Sequence, residues 1–312
     1  YDLDNNLVAT DLPNGTVETR QYDALDRLVS LQTATAGGWV ISSDHYTLGP
    51  DGSRWSVVET ASNVGNTAHT ARTVYYSYDA LDRLTQEWIT TPGALDFTYD
   101  YAYDLAGNRL KQTKILGSPT APLGATELDF FYDANDLLVT ETGDEFAGGA
   151  TTSTNPTFTA VNATYLYDAN GSTLSVSGTG VDQTTYTWDV EGRMIGATVT
   201  AQGTNATYTY DDAGDRVSQT VGGTTTTYLN DPNGAYDQVL EEYTGGMLAA
   251  TYVRGLDLLF RDRTTAGGGT GLSFYAKDGP GEHAGADELQ RCGHVQVRRV
   301  REPDRVHRND DE

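Results

Sequence analysis

Apolar and polar residues alternate along most of the chain. Aromatic or branched side chains occupy every second position in five segments: Val74/Tyr76/Tyr78, Tyr99/Tyr101/Tyr103, Tyr165/Tyr167, Tyr186/Trp188 and Tyr208/Tyr210. A period of two places such residues on one face of a β-strand. The pattern therefore predicts strands, each with one aromatic face.

A short sequence, named here the turn phrase, follows each alternating segment and recurs along the chain. Its first position is Tyr or Trp, its second is Asp, and its fifth is Gly, Asn or Asp. The eight copies begin with Tyr1-Asp2, Tyr22-Asp23, Tyr78-Asp79, Tyr103-Asp104, Tyr132-Asp133, Tyr167-Asp168, Trp188-Asp189 and Tyr210-Asp211. Their fifth positions are Asn5, Asp26, Asp82, Gly107, Asp136, Gly171, Gly192 and Gly214, respectively.

The residue types of the phrase are those of a tight turn. The Asp carboxylate can accept hydrogen bonds from backbone N–H groups two or more residues further on. Gly, Asn and Asp tolerate the left-handed backbone conformation that ends a short hairpin loop. The phrase therefore predicts a hairpin turn at each copy, with positive φ at all eight fifth positions.

The spacing of the phrases predicts one extended repeat domain over residues 1–281. Short gaps fit two strands and two turns, and the long gap after Tyr22 indicates a degenerate copy within residues 46–52. Residues 118–126 and 143–156 are rich in Gly, Pro, Ser and Thr and predict surface loops. Because linked hairpins cannot bury an aromatic face alone, we expect an all-β fold of antiparallel β-hairpin repeats forming a long spiralling sheet.

Composition narrows the possible partners. The chain has 44 acidic and 20 basic residues, with a formal charge of −24, which disfavours nucleic acid and anionic membrane surfaces. No apolar run approaches the ~20 residues of a membrane-spanning helix. With Cys292 as its one cysteine, the chain cannot form an internal disulfide.

Candidate catalytic and metal-binding residues are few. Adjacent carboxylates such as Glu241 and Glu242 would point to opposite faces of a strand, unlike a catalytic pair across a cleft. His45 and His69 lack partners at a recognisable spacing. The aspartates of the phrase do not have the spacing of a calcium loop. We therefore expect no catalytic, cofactor-binding or metal-binding residue, no cofactor, and no enzyme activity.

The turn phrase resembles the YD repeat found in bacterial Rhs proteins, wall-associated proteins, insecticidal toxin complex C components and animal teneurins. Residues 252–259, with the sequence YVRGLDLL, resemble the entry to the Rhs-associated core. Residues 274–281, with the sequence FYAKDGPG, resemble the segment that follows it. The similarity covers about residues 1–281.

The resemblance implies that the chain is a structural segment of a hollow Rhs shell, in a secreted or cell-surface toxin. The shell of that family encloses a C-terminal toxin, so the implied partners are that toxin domain and further repeats of the same chain. A second function remains open, because tyrosine rings can stack on sugars: carbohydrate binding or adhesion through cell-surface glycans.

Residues 282–312 differ abruptly from the rest. They hold six arginines, from Arg291 to Arg308, in an otherwise acidic chain. A permitted set of codons for residues 294–307, read one base later, gives TYRYDAFGNLIAS, which is a further YD repeat. We interpret residues 282–312 as an out-of-frame, disordered tail. The alternative is a basic module that binds nucleic acid.

Overall fold

The computed structural model describes residues 1–12, 14–62, 69–118, 120–146, 157–232, 238–254, 258–264 and 270–274. These residues form 22 β-strands and contain no helix, which confirms the expected all-β antiparallel class. Nothing among them is a helix of the length and apolarity needed to cross a membrane. The chain divides into two compact units, one built from residues 1–71 and the described residues from 249 onward, the other from residues 72–248.

The first unit begins with five strands: β1 (Ala9–Asp11), β2 (Val17–Tyr22), β3 (Leu28–Ala34), β4 (Val40–Leu48) and β5 (Arg54–Ser62). Each pairs antiparallel with the next. The C-terminal part contributes β20 (Met247–Arg254), which begins at the unit boundary, β21 (Leu258–Thr264) and β22 (Thr270–Phe274). These three strands also pair in chain order.

The second unit contains fourteen strands, the first of which begins at the unit boundary. They are β6 (His69–Tyr78), β7 (Leu84–Thr90), β8 (Phe97–Tyr103), β9 (Arg109–Ser118), β10 (Ala121–Tyr132), β11 (Leu138–Phe146), β12 (Phe158–Tyr167), β13 (Thr173–Thr179), β14 (Thr184–Trp188), β15 (Met194–Val199), β16 (Thr204–Tyr210), β17 (Arg216–Val221), β18 (Thr224–Asn230) and β19 (Val239–Thr244). Each pairs antiparallel with the next. Because two strands separate successive phrases, the phrase turns of this unit all lie at the same end of the strands.

The two faces of the sheet in the second unit differ in character. In β16, Tyr208 and Tyr210 are half-buried, whereas Thr207 and Thr209 are exposed. We name the side that carries the phrase tyrosines the tyrosine face, and the opposite side the hydroxyl face. One apolar cluster of this unit buries Leu128, Phe130 and Val161 against Tyr132, Leu138 and Val181.

Two of the predicted loops are wrong in part. Residues 121–126 belong to β10 and pair with β9, across a bulge between Pro122 and Gly124. Gly143 lies within β11, which continues to Phe146. Composition was misleading because a bulged strand accepts Pro and Gly where packing still favours pairing: Thr126 and Leu128 are both buried. Residues 147–156 of the second predicted loop lie outside the described residues.

The predicted domain limits fall largely outside the described part of the chain. Residues 275–312 are not described, so the boundary at 281, the out-of-frame tail and Cys292 remain sequence-based predictions. Of the predicted core-entry segment 252–281, the structure describes residues 252–254, 258–264 and 270–274.

Candidate functional site: the turn ladder

Each turn phrase closes a hairpin with the same backbone hydrogen bonds. In the copy that starts at Tyr22, the N–H of Asp23 donates to the carbonyl of Arg27 at 2.9 Å, and the N–H of Asp26 donates to the carbonyl of Asp23 at 3.1 Å. The return strand starts with a bulge, since Tyr22 pairs with Leu28 after a register shift. The loop is therefore a tight turn of fixed length.

The fifth position of every phrase has the predicted positive φ. The values are 69° at Asn5, 57° at Asp26, 58° at Asp82, 101° at Gly107, 60° at Asp136, 84° at Gly171, 79° at Gly192 and 95° at Gly214. In the described residues these four Asn and Asp residues are the only non-glycine residues with positive φ. Among the described non-glycine residues, the left-handed conformation is therefore specific to this position of the phrase.

The Asp at the second position holds the turn together with its carboxylate. Oδ1 of Asp79 accepts the N–H groups of Leu81 at 2.9 Å and Arg83 at 3.0 Å. Its Oδ2 accepts Nε of the Arg83 side chain at 2.7 Å. The same pair of backbone bonds forms in all eight phrases, at Asp2, Asp23, Asp79, Asp104, Asp133, Asp168, Asp189 and Asp211.

These hydrogen bonds favour the ionised carboxylate. The side-chain bond from Arg27 lowers the pKa of Asp23, and the bond from Arg83 lowers the pKa of Asp79 in the same way. At Asp104, where the sixth position is an asparagine, the amide of that side chain lowers the pKa. Donors that satisfy only the charged form stabilise it, so the hydrogen bonds of these three turns favour an ionised aspartate.

In six phrases, the aromatic residue at the first position connects the phrase to the preceding one. Its donor reaches the backbone carbonyl of the seventh position of that phrase: Tyr22 Oη to Leu7 at 3.0 Å, Tyr103 Oη to Leu84 at 2.7 Å, Tyr132 Oη to Arg109 at 2.9 Å, Tyr167 Oη to Leu138 at 2.7 Å, Trp188 Nε1 to Thr173 at 2.7 Å and Tyr210 Oη to Met194 at 2.7 Å. Burial raises the pKa of Tyr132 and Tyr167, which keeps these donors protonated. We name this contact the tyrosine lock.

In five of the eight phrases, the side chain at the sixth position connects the phrase to the following turn. Arg83 Nη1 donates to the carbonyl of Asp104 at 2.7 Å, and its guanidinium lies 4.9 Å from the ring centre of Tyr103. Two further arginines and two asparagines make the forward contact: Arg27 to Gly49 O at 2.8 Å, Arg193 to Asp211 O at 3.3 Å, Asn6 to Asp26 Oδ1 at 3.0 Å and Asn108 to Asp136 Oδ1 at 2.8 Å. Four pairs of successive phrases are therefore connected in both directions, those that start at Tyr1 and Tyr22, at Tyr78 and Tyr103, at Tyr103 and Tyr132, and at Trp188 and Tyr210.

The structure also contains a turn of this type at a place where the sequence pattern is degenerate. At the degenerate copy predicted within residues 46–52, Leu48 and Gly49 occupy the Tyr and Asp positions, and Gly52 has a φ of 94°. Asp51 compensates for the missing second-position carboxylate by accepting the N–H of Ser53 at 3.0 Å. At Asn230, Nδ2 donates to Arg216 O at 3.2 Å, which is the contact that a first-position aromatic residue makes in other phrases, and residues 233–237 that follow lie outside the described residues.

The site residues from the sequence are brought together in rows rather than in a pocket. Within each unit, the phrase residues form a ladder of turns bridged by tyrosine locks and sixth-position side chains. In the parts of the chain that the structure describes, no group of three or more His, Cys, Asp or Glu side chains could hold a metal ion. What this arrangement can do is fix the orientation of each hairpin relative to the next.

Fold and ladder together define the class: an antiparallel, all-β repeat scaffold in which each hairpin contacts its sequence neighbours. Residues 1–38 match the family description of the RHS repeat. The other phrases repeat the same motif down to the aspartate and the positive φ, so the similarity to the RHS repeat (YD repeat) extends beyond those residues. No curated protein matches the chain.

Several solved structures are similar to the chain at low identity. The Photorhabdus luminescens Tc holotoxin pore matches with a TM-score of 0.48 and 16% identity, covering 94% of this chain and 15% of that chain. The TcdB2-TccC3-Cdc42 crystal structure matches with a TM-score of 0.44 and 14% identity, covering 93% of this chain and 19% of that chain. A porin-like protein from Bacteroides uniformis has a TM-score of 0.32, 13% identity and coverage of 75% and 96%, respectively. The chain spans less than a fifth of the length of the two toxin chains.

Proposed function

We propose that this chain is an architectural segment of an RHS shell that encloses a C-terminal toxin of the same polypeptide, in a secreted or cell-surface protein. The observation that carries the proposal is the two-way connection of neighbouring turns by tyrosine locks and sixth-position side chains. Such contacts hold successive hairpins in a set orientation, which an enclosing wall requires. The role is structural and needs neither catalysis nor a cofactor.

Each connection between neighbouring turns contributes a small amount to the stability of the sheet. A hydrogen bond such as Tyr167 Oη to Leu138 O is worth about 1 kcal/mol, and a buried, unpaired carbonyl would cost a similar amount. Repeated at six phrases, the tyrosine lock couples each hairpin to its neighbours. A wall of this kind resists local opening, which is what retention of an enclosed polypeptide demands.

A protease-protection experiment tests the proposal. The encoding DNA is sequenced and the in-frame extension expressed together with the chain, so that the C-terminal polypeptide is present. We expect that polypeptide to resist protease until the shell is opened by Tyr103→Ala, Tyr132→Ala and Tyr167→Ala together. Digestion of the C-terminal polypeptide at the same rate with the intact and the opened shell would refute enclosure.

The half-buried aromatic rows on the tyrosine face favour a second candidate, the binding of cell-surface glycans. Tyr165, Tyr186, Tyr208 and Tyr228 each retain partial exposure, so their ring faces are within reach of a ligand. Their contacts with neighbours, such as Arg216 at 5.3 Å from the ring centre of Tyr228, support the packing role instead. A glycan array separates the two functions, because a purely enclosing wall gives no specific sugar signal.

A further inference from the structure

Two identical three-residue segments occupy equivalent places in the repeat. Asn162-Ala163-Thr164 in β12 and Asn205-Ala206-Thr207 in β16 each begin five residues before the first position of a phrase, at Tyr167 and Tyr210. Strand alternation places the Asn and the Thr of each segment on the hydroxyl face and the alanine on the tyrosine face. The pattern is Asn-x-Thr, the acceptor sequence for N-linked glycans.

The exposure of these side chains agrees with that pattern. Asn162, Thr164, Asn205 and Thr207 are all exposed, whereas Ala163 has no exposed surface. The acceptor amide and the hydroxyl that an oligosaccharide-transferring enzyme recognises therefore lie on the solvent side. In the first segment, the buried residue is the alanine between the acceptor Asn162 and Thr164.

The surroundings of both asparagines leave room for a bulky sugar. Asn162 pairs across the strands with Thr142 and Thr179, and Asn205 pairs with Thr198. These three neighbours have short hydroxyl side chains. A glycan on either asparagine would extend from the sheet without displacing a packed apolar side chain.

We propose that Asn162 and Asn205 are N-glycosylation sites on the hydroxyl face. The proposal rests on the proposed function in one respect, because N-glycan transfer takes place on exported chains. In the step, Asn Nδ2 forms a bond to the anomeric carbon of a lipid-linked oligosaccharide. The bond from that carbon to the carrier phosphate oxygen breaks, and the amide loses one proton while the carrier leaves with its phosphate.

Two other Asn-x-Ser/Thr sequences lie in turns and provide an internal comparison. At Asn14-Gly15-Thr16, Oδ1 of Asn14 already accepts the N–H of Thr16 at 3.0 Å and its hydroxyl at 2.7 Å. At Asn170-Gly171-Ser172, the backbone is part of a phrase turn. The proposal is therefore confined to the two strand sites, where the side chain has no part in a turn.

The test is peptide mapping of the full chain expressed behind a secretion signal in a yeast that N-glycosylates. Both the secreted and the cell-retained chain are treated with peptide:N-glycosidase in heavy-oxygen water, which converts each glycosylated Asn to a labelled Asp. We expect the label at positions 162 and 205. Thr164→Ala and Thr207→Ala should each remove one site, whereas Thr209→Ala, an exposed control on the same face, should keep both.

Unlabelled Asn162 and Asn205 in both pools, or label confined to Asn14 and Asn170, would overturn the proposal. Because the experiment supplies the secretion signal, its result does not depend on whether the proposed function is correct. Enclosure is judged by protease protection, which does not depend on glycosylation. Loss of protection with labelled asparagines would refute the shell and leave the glycan sites standing.

Discussion

The conformation of Gly192 gives the sharpest test of the turn phrase. Its φ is 79°, and a Cβ added there would meet no atom within 4 Å. A substitution at this site therefore changes backbone energy without a steric clash. For a β-branched residue the left-handed conformation costs about 1–3 kcal/mol.

The chain supplies its own matched control. Asn5 holds the same position at a φ of 69°, and Asp26, Asp82 and Asp136 hold it at 57°, 58° and 60°. Gly192→Asn should therefore be close to neutral, within about 0.5 kcal/mol as for an ordinary surface change. Gly192→Val should lower the free energy of unfolding by about 1–3 kcal/mol.

Urea unfolding followed by tryptophan fluorescence measures the difference. Trp188 belongs to the same phrase and reports on it directly, through the bond from its Nε1 to Thr173 O at 2.7 Å. The two variants should share one slope against urea concentration and differ in midpoint. Equal midpoints for Val and Asn would show that positive φ does not limit this turn, and the reasoning from the phrase would fail.

Three further outcomes are expected. Tyr167→Phe deletes the tyrosine lock to Leu138 but keeps the ring, so urea unfolding should show a loss of about 1 kcal/mol; an unchanged midpoint would contradict the lock. Gly178→Ala should cost more than an alanine at an open turn, about 2–5 kcal/mol, because its Cβ would lie 1.8 Å from the carbonyl oxygen of Asn162 at a φ of 140°. The hydrogen bond from Arg83 lowers the pKa of Asp79 in the folded chain. The ionised Asp79 therefore stabilises the fold fully above the unfolded pKa of about 3.9, and this stabilisation is lost as pH falls through the folded pKa. The difference in melting temperature between the wild type and Asp79→Asn should therefore narrow below about pH 4, and a constant difference down to pH 3 would refute this.

The amino-acid sequence by itself determined the turns and the class of fold. Each phrase Asp bonds to N–H groups two and four residues further on, and the positive φ belongs to one residue, so both are local properties. The alternation of apolar and polar residues determined which residues share a face of the sheet, because the direction of each side chain along a strand is also a local property. The sequence pattern was less informative where Leu48 replaced the tyrosine, because the aromatic signal was missing although the turn itself formed.

Only the tertiary structure decided how the phrases are connected. The bond from Tyr167 to Leu138 joins residues 29 positions apart, and the bond from Arg83 to Asp104 joins residues 21 apart. Such contacts depend on strand register, which the pairing of whole strands sets and which no local pattern contains. The same holds for residues 121–126, whose composition is typical of a loop. They form a strand because β9 offers a partner and burial of Leu128 outweighs their weak β-propensity.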